Sequence, residues 1–243
     1  VRCSGCHHGG CEAECQILWK DAWLRRLPGR HQRSASRVHD HVASGPVKNH
    51  DRVETGQPYV CQMTELWDAS HPMVAFDFRQ DLRPLLSGNV GIGAFLLAVL
   101  TRIFNGVQAL RGGLSYPFMP EPVAQGQTPV EALGLIPREV VVVRSKEEIA
   151  KTLVHRRNRG LWFDAEMIRF CGQAFVVRKR ISRVIHEATG KRVVMKTPSV
   201  VLENVTATGE FLRFCSQHEF IFWREIWLRQ VEEEAANVGA SGS

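Results

Sequence analysis

Apolar residues change their spacing along this chain, and the changes divide it. Near the N-terminus Cys15, Leu18, Trp19, Ala22 and Trp23 recur at i, i+3, i+4, i+7 and i+8, with Lys20, Arg25 and Arg26 between them. That is the period of one helix face, and it predicts a helix over 11–27 stopped by Pro28-Gly29. Residues 31–57 lose all periodicity and read as a flexible linker. From Thr64 to Leu110 the helical period returns, first in short amphipathic pieces around Leu66-Trp67, Phe76, Phe78, Leu82 and Leu85-Leu86. A mostly buried helix from Gly91 to Leu110 is expected next, ended by Gly112-Gly113. The apolar stretch from Val90 to Val107 holds Arg102 and three glycines. A bilayer span needs about 20 apolar residues. A buried helix is therefore expected and no transmembrane span, with an interfacial helix as the other reading.

The pattern turns β-like after Pro129. Val140 to Val143 is an unbroken β-branched run, read as a buried strand. Ser145 followed by Glu147 and Glu148 predicts an N-cap and a short helix over 146–153. Asn158-Arg159-Gly160 marks a turn, Phe175 to Ile185 alternates, and the turn at Ala188-Thr189-Gly190-Lys191 sends Arg192 to Met195 back as a hairpin partner. Val200 to Leu202 with Val205 forms another strand. The segment from Phe220 to Glu234 reads equally as strand or helix. The expected class is α+β. A Cys/His-rich segment and helix occupies 1–30, the linker 31–57, a helical region 58–129, a small SH3-like β-barrel 130–234 and a tail 235–243.

Composition narrows this only a little. The 243 residues are 44% hydrophobic, enough for a real core, and 31 basic against 25 acidic side chains leave a net charge of +6. A mild basic excess is compatible with nucleic acid, anionic lipid or acidic partners, and demands none of them.

Cysteine changes the picture more. Four of the seven cysteines, Cys3, Cys6, Cys11 and Cys15, fall in the first fifteen residues beside His7 and His8. Thiolates and imidazoles at this density are metal-ligand types. On the predicted helix Cys11 and Cys15 share one face a turn apart, with Cys3 and Cys6, or His7 and His8, completing four ligands and Gly9-Gly10 letting the backbone wrap tightly. Cys171, in Arg-Phe-Cys-Gly, and Cys215, in Arg-Phe-Cys-Ser, could cross over and join the same ion. Cys61 has no partner in view and reads as a packed thiol. Clustered, odd-numbered cysteines favour reduced thiols and a cytoplasmic setting. Zinc and an iron–sulfur cluster both suit such ligands. Cys3-Ser-Gly-Cys6-His7 matches the c-type haem attachment pattern, but the motif is short and the other cysteines disfavour it.

Other chemistry is thin. Asp164 and Glu166, two apart, would share a strand face and are most simply a solvated edge. Arg156, Arg157 and Arg159, then Arg178, Lys179, Arg180 and Arg183, form basic stretches on the expected barrel. They read as a solvated strand face in preference to a nucleic-acid surface. No dinucleotide, phosphate-loop, nucleophile-elbow or zinc-protease motif occurs. Trp223 and Trp227, four apart, share a face on either a helix or a strand. They are expected to be buried; the competing reading is an aromatic platform that stacks a base or sugar.

Several phrases together resemble a family of uncharacterised bacterial cysteine-containing proteins found beside biosynthetic genes, including polysaccharide ones. They are His8-Gly-Gly-Cys11, Trp19-Lys-Asp-Ala-Trp-Leu24, Arg144-Ser-Lys-Glu-Glu-Ile149, Asn158-Arg-Gly-Leu161, Phe163-Asp-Ala-Glu-Met167, Arg213-Phe-Cys215 and Trp223-Arg-Glu-Ile-Trp-Leu228. The resemblance spans most of the chain outside 31–57 and carries no known activity. It implies Cys11, Cys171 and Cys215 as shared positions, with His8 and Cys15 beside them. The function expected is metal binding through Cys/His ligands in an accessory or biosynthetic role, with a metal ion and a protein as partners. The alternatives are an iron–sulfur or other redox enzyme and a nucleic-acid-binding barrel module.

Overall fold

The structure, a computed structural model, describes residues 11–16, 59, 61–66, 69, 79–122, 126–211 and 218–231. The chain is mixed helix and sheet, with a curled five-stranded antiparallel half-barrel in its C-terminal part. Four helices are described: α1 (Gln62–Glu65), α2 (Arg79–Leu86), α3 (Ile92–Arg111) and α4 (Lys146–Ala150). The strands are β1 (Val140–Val143), β2 (Arg157–Asn158), β3 (Leu161–Trp162), β4 (Ala174–Arg180), β5 (Arg183–Ile185), β6 (Arg192–Val194), β7 (Ser199–Thr206), β8 (Phe220–Arg224) and β9 (Leu228–Gln230).

The order in the large sheet is β8-β7-β4-β1-β9. Strand β1 lies inside the sheet because its valines fill both needs of a buried strand. Val141 and Val143 are fully buried, and the backbone pairs with β4 on one side (Val141 with Phe175) and β9 on the other (Val143 with Leu228). β4 and β7 each break register, between Val177 and Lys179 and between Val201 and Thr206. Such irregularities bend strands and curl the sheet. The curl brings opposite edges together. β8 and β9 lie at the two ends of the order, yet only the 3-10 turn Glu225–Trp227 separates them in sequence.

Inside the curl lies one core. Phe163 meets Trp227 edge-on at 5.2 Å between ring centres and Trp223 at 6.3 Å, and Leu135, Ile149, Leu153, Met167, Val200 and Leu202 pack around them. Both tryptophans are fully buried, as their spacing predicted. Trp227 donates its indole N–H to Thr152 Oγ1 at 3.0 Å. The undecided segment after Phe220 is thus strand, turn and strand, and its single turn hands the chain from one edge of the sheet to the other.

Local signals hold elsewhere too. Ser145 caps α4, its Oγ accepting from Glu148 N–H, and Glu148 returns a bond to Ser145 N–H; α4 ends at Ala150, three residues earlier than expected. Arg159 and Gly160 adopt left-handed backbone between β2 and β3, as a two-residue hairpin turn requires. Gly112, at φ 70°, ends α3.

Three expectations are corrected. Residues 11–16 are extended with a bend and contain no helical turn, and Glu14 is left-handed at φ 53°. Asp164 and Glu166 do not share a strand face. Asp164 caps the 3-10 turn Ala165–Phe170, and Glu166 is buried within it, accepting from Thr208 N–H at 2.9 Å and from Gly209 N–H. The mostly buried helix exists as α3, but most of its large apolar side chains are exposed. The linker 31–57, the tail 235–243 and residues 17–27 of the expected N-terminal helix lie outside the described residues.

Trp227→Ala removes a fully buried ring, two edge contacts and the Thr152 bond. It is expected to lower stability by about 3–5 kcal/mol. Urea unfolding of the variant checks this, with an unchanged slope confirming that the native fold persists.

Candidate functional site

The cysteine-bearing segment 11–16 is held to the C-terminal part by its own acids. Glu12 N–H donates to Arg183 O at 2.9 Å. The Glu12 carboxylate accepts from Ser182 N–H (2.6 Å), Ser182 Oγ and Arg183 N–H (3.1 Å), and pairs with the Arg183 guanidinium at 3.3 Å. Glu14 pairs with Arg178 at 2.9 Å and Lys179 at 2.7 Å. These bonds explain why the helical period fails at residues 11–16. Periodicity is a weak local preference, and two carboxylates with pre-placed donors outweigh it. They also account for much of the basic stretch. Arg178, Lys179 and Arg183 face acids of the same chain, and Arg180 faces the buried Glu225 carboxylate at 3.1 Å. Arg157 lies over the Trp162 ring at 5.0 Å.

Cys61 reaches the same place from another direction. Tyr59 N–H donates to Gly190 O at 2.7 Å, in the turn of the β5–β6 hairpin. Arg183, which receives Glu12, begins that hairpin. One hairpin thus carries both cysteine segments, 11–16 and 59–61. Cys61 caps α1 through its backbone: its N–H donates to Thr64 Oγ1 at 2.8 Å and its carbonyl accepts from the same hydroxyl.

The electrostatics of Cys15 record the convergence. Burial pushes its thiol up to about 12, and the charges of Glu219, Cys11, Cys61 and Glu187 push it the same way. Every neighbouring charge in that set is acidic. Cys11 is buried and Cys15 and Cys61 partly so, and all three are free thiols. Among the described residues, no group of three or more His, Cys, Asp or Glu is arranged to hold a metal ion.

Cys171 has different surroundings. It packs against the barrel core, with its Sγ 4.0 Å from Met167 O. Burial pushes its thiol up to about 11, with Glu147 adding to the effect and Lys146 opposing it. Cys3, Cys6, His7, His8 and Cys215 lie outside the described residues. Cys61 has no cysteine or histidine within nine residues, so the sequence pairs it with nothing; the fold brings its segment to the hairpin that also receives Glu12.

A concavity of about 180 Å³ opens between α3 (Leu97, Ala98, Thr101) and the 165–170 turn. Its charged groups already pair with one another, Arg169 with Glu166 at 3.7 Å and with Glu210 at 3.5 Å. Comparison of the chain with protein-family models, curated proteins and solved structures gave no match.

Burial tends to raise the Glu12 and Glu14 carboxyls. Their bonds to Ser182 and Arg183, and to Lys179 and Arg178, outweigh it and leave both below the ordinary glutamate value. A lowered carboxyl stabilises the docked state fully above its ordinary value, near about 4.3, and loses that contribution as pH falls through the lowered one. Acidification below about pH 4 is therefore expected to free segment 11–16. Faster amide exchange at Glu12, Ser182 and Arg183, ahead of exchange in β1 and β7, is the check.

A thiol at about 12 presents very little thiolate near neutrality. In reduced, metal-free protein at pH 8, Cys15 should alkylate on the order of a thousandfold more slowly than a free cysteine. Glu12→Ala with Glu14→Ala should restore most of that rate, read by mass spectrometry of the labelled peptide.

Proposed function

We propose that the chain is a metal-binding protein whose Cys/His ligands gather at the β5–β6 hairpin, in an accessory or biosynthetic role. One observation supports the reading: the segment bearing Cys11 and Cys15 and the segment leading to Cys61 both bond to the same hairpin, through Glu12 with Ser182 and Arg183 and through Tyr59 with Gly190. Burial, joined by the acidic groups Glu219, Cys11, Cys61 and Glu187, opposes ionisation of the Cys15 thiol. A cation relieves that opposition and deprotonates its ligands outright. The site is rich in thiol, the donor that zinc and iron–sulfur clusters prefer.

Cys11, Cys15 and Cys61 form the centre of the proposed ligand set. Cys3, Cys6 and His8 precede Cys11 by three to eight residues and are the further ligands from that side. Cys215 lies four residues before Glu219, a reach of at most about 14 Å along the chain, and joins from the other. Cys171, packed on the barrel core, is read as a structural thiol.

The same proposal takes the half-barrel as SH3-like. Its strands follow a meander β1-β4-β7-β8, and β9 returns to β1 after a 3-10 turn. Its role is then to present the β5–β6 hairpin as a rigid dock. The nucleic-acid reading is not favoured, since the basic stretch faces acids of its own chain.

Reduced protein purified without air is expected to carry close to one equivalent of metal or one cluster. Elemental analysis with a visible spectrum separates colourless zinc from coloured iron–sulfur, and less than about a tenth of an equivalent of any transition metal refutes the proposal. Cys61→Ser and Cys215→Ser should lower both metal content and melting temperature, while Cys171→Ser should leave metal content unchanged.

A further inference from the structure

The helix α3 is built inside out. Its covered side carries Thr101 and Asn105 beside the buried Ala98, and most of its large apolar side chains face outward. Thr101 faces the 165–170 turn across the concavity described above. Asn105 exchanges two hydrogen bonds with the Tyr116 backbone, at 2.8 and 2.7 Å. Arg102 pairs with Asp81 of α2 at 3.1 Å. Away from these anchors, Ile92, Leu96, Leu100, Ile103, Val107 and Leu110 recur at i, i+4, i+8, i+11, i+15 and i+18. They form a single stripe on a helix of 3.6 residues per turn. All six are exposed, from 40% at Val107 to 89% at Leu110. A water-facing helix has the opposite arrangement, and a contiguous apolar face of this length marks an interaction surface.

We propose that α3 docks this face on the surface of an anionic lipid bilayer, lying in the membrane plane with its stripe sunk among the acyl chains. Four observations select this occupant. The helix has 20 residues, a mean hydropathy of 1.5 over its most apolar window, and Arg102 and Arg111 as its only charged side chains. That is membrane-grade composition. Arg102 sits mid-helix with its partner on α2, and Asn105 is tied to the Tyr116 backbone. Crossing the bilayer would strip both contacts into hydrocarbon or break them, whereas lying flat keeps them on the protein side. Tyr116 and Phe118, both exposed, stand beside the helix, and such rings favour the headgroup boundary. The chain as a whole carries +6, the sign that anionic headgroups attract.

The test floats the full chain with vesicles of phosphatidylcholine containing phosphatidylglycerol as the minor lipid. The wild type should rise with the vesicles, more weakly when phosphatidylglycerol is omitted. Leu100→Glu with Ile103→Glu should lower the partition coefficient at least about tenfold while circular dichroism and the melting curve stay unchanged. Leu96→Ser with Leu110→Ser, at the two ends of the stripe, gives an independent reading if the glutamates disturb the fold. Three results overturn the proposal: wild type that stays with the unbound fraction, folded variants that float equally well, or membrane-bound protein that resists extraction by alkaline carbonate, which would mean that α3 spans. A fourth would reassign the face to a second copy of the chain. In that case the wild type sediments as a dimer without vesicles, and the same substitutions make it monomeric.

Discussion

A buried carboxylate governs the closure of the half-barrel. Glu225 is fully enclosed at the turn between β8 and β9. A charge removed from water must find partners or destabilise the fold. Here Oε2 accepts from Leu133 and Gly134 N–H at 2.7 and 3.0 Å, and Oε1 faces Arg180. The loop before β1, the end of β4 and the β8–β9 turn are thereby fixed to one atom group. Its neighbour Arg224 repeats the device with opposite sign. Its guanidinium donates to the carbonyls of Asn158, Arg159 and Thr197 and to Ser199 Oγ, and burial lowers its proton affinity. Between them these adjacent charges tie four loops, and Trp223 and Trp227 on either side supply the apolar burial.

How much of this was legible in the sequence depends on the range of the forces concerned. The β1 valines, the Ser145 cap, the Asn158-Arg-Gly turn and the Thr189-Gly190 hairpin are local, and their residues announce them. The tryptophans' spacing put both rings on one face, and their size favoured the burial that the structure has. Residues 11–16 could not be read this way. Their apolar period is real, but Ser182 and Arg183 lie some 170 positions away and decide the conformation. Cys61 was opaque for the same reason, since its neighbours are gathered by a hairpin far along the chain. Glu166 was misjudged because two charges on a presumed strand edge look solvated until the 206–210 loop folds over one of them.

The helix α3 exposes the limit of hydropathy as an argument. An apolar 20-residue run says that the side chains avoid water. It does not say which side of the helix is turned toward the protein. That choice is made by Asn105 and Arg102, two polar positions that find partners within the chain. Their partners fix the rotation of the helix about its axis, and most of the large apolar residues face outward as a result. The helix meets the half-barrel part through the 165–170 turn, so its outward face adds a surface without drawing on the core.

The docking of segment 11–16 also has a consequence for the order of events during synthesis. Its receptors, Ser182 and Arg183, are made some 170 residues after Glu12. At about 5–20 residues per second, the interval is on the order of ten to thirty seconds. β9, which completes the sheet beside β1, emerges later still. Cys11 and Cys15 therefore wait, undocked, until Ser182 and Arg183 have been made. Contacts that join positions so far apart in sequence leave the earlier segment, with Cys11 and Cys15, unsheltered while all of the intervening chain is being made.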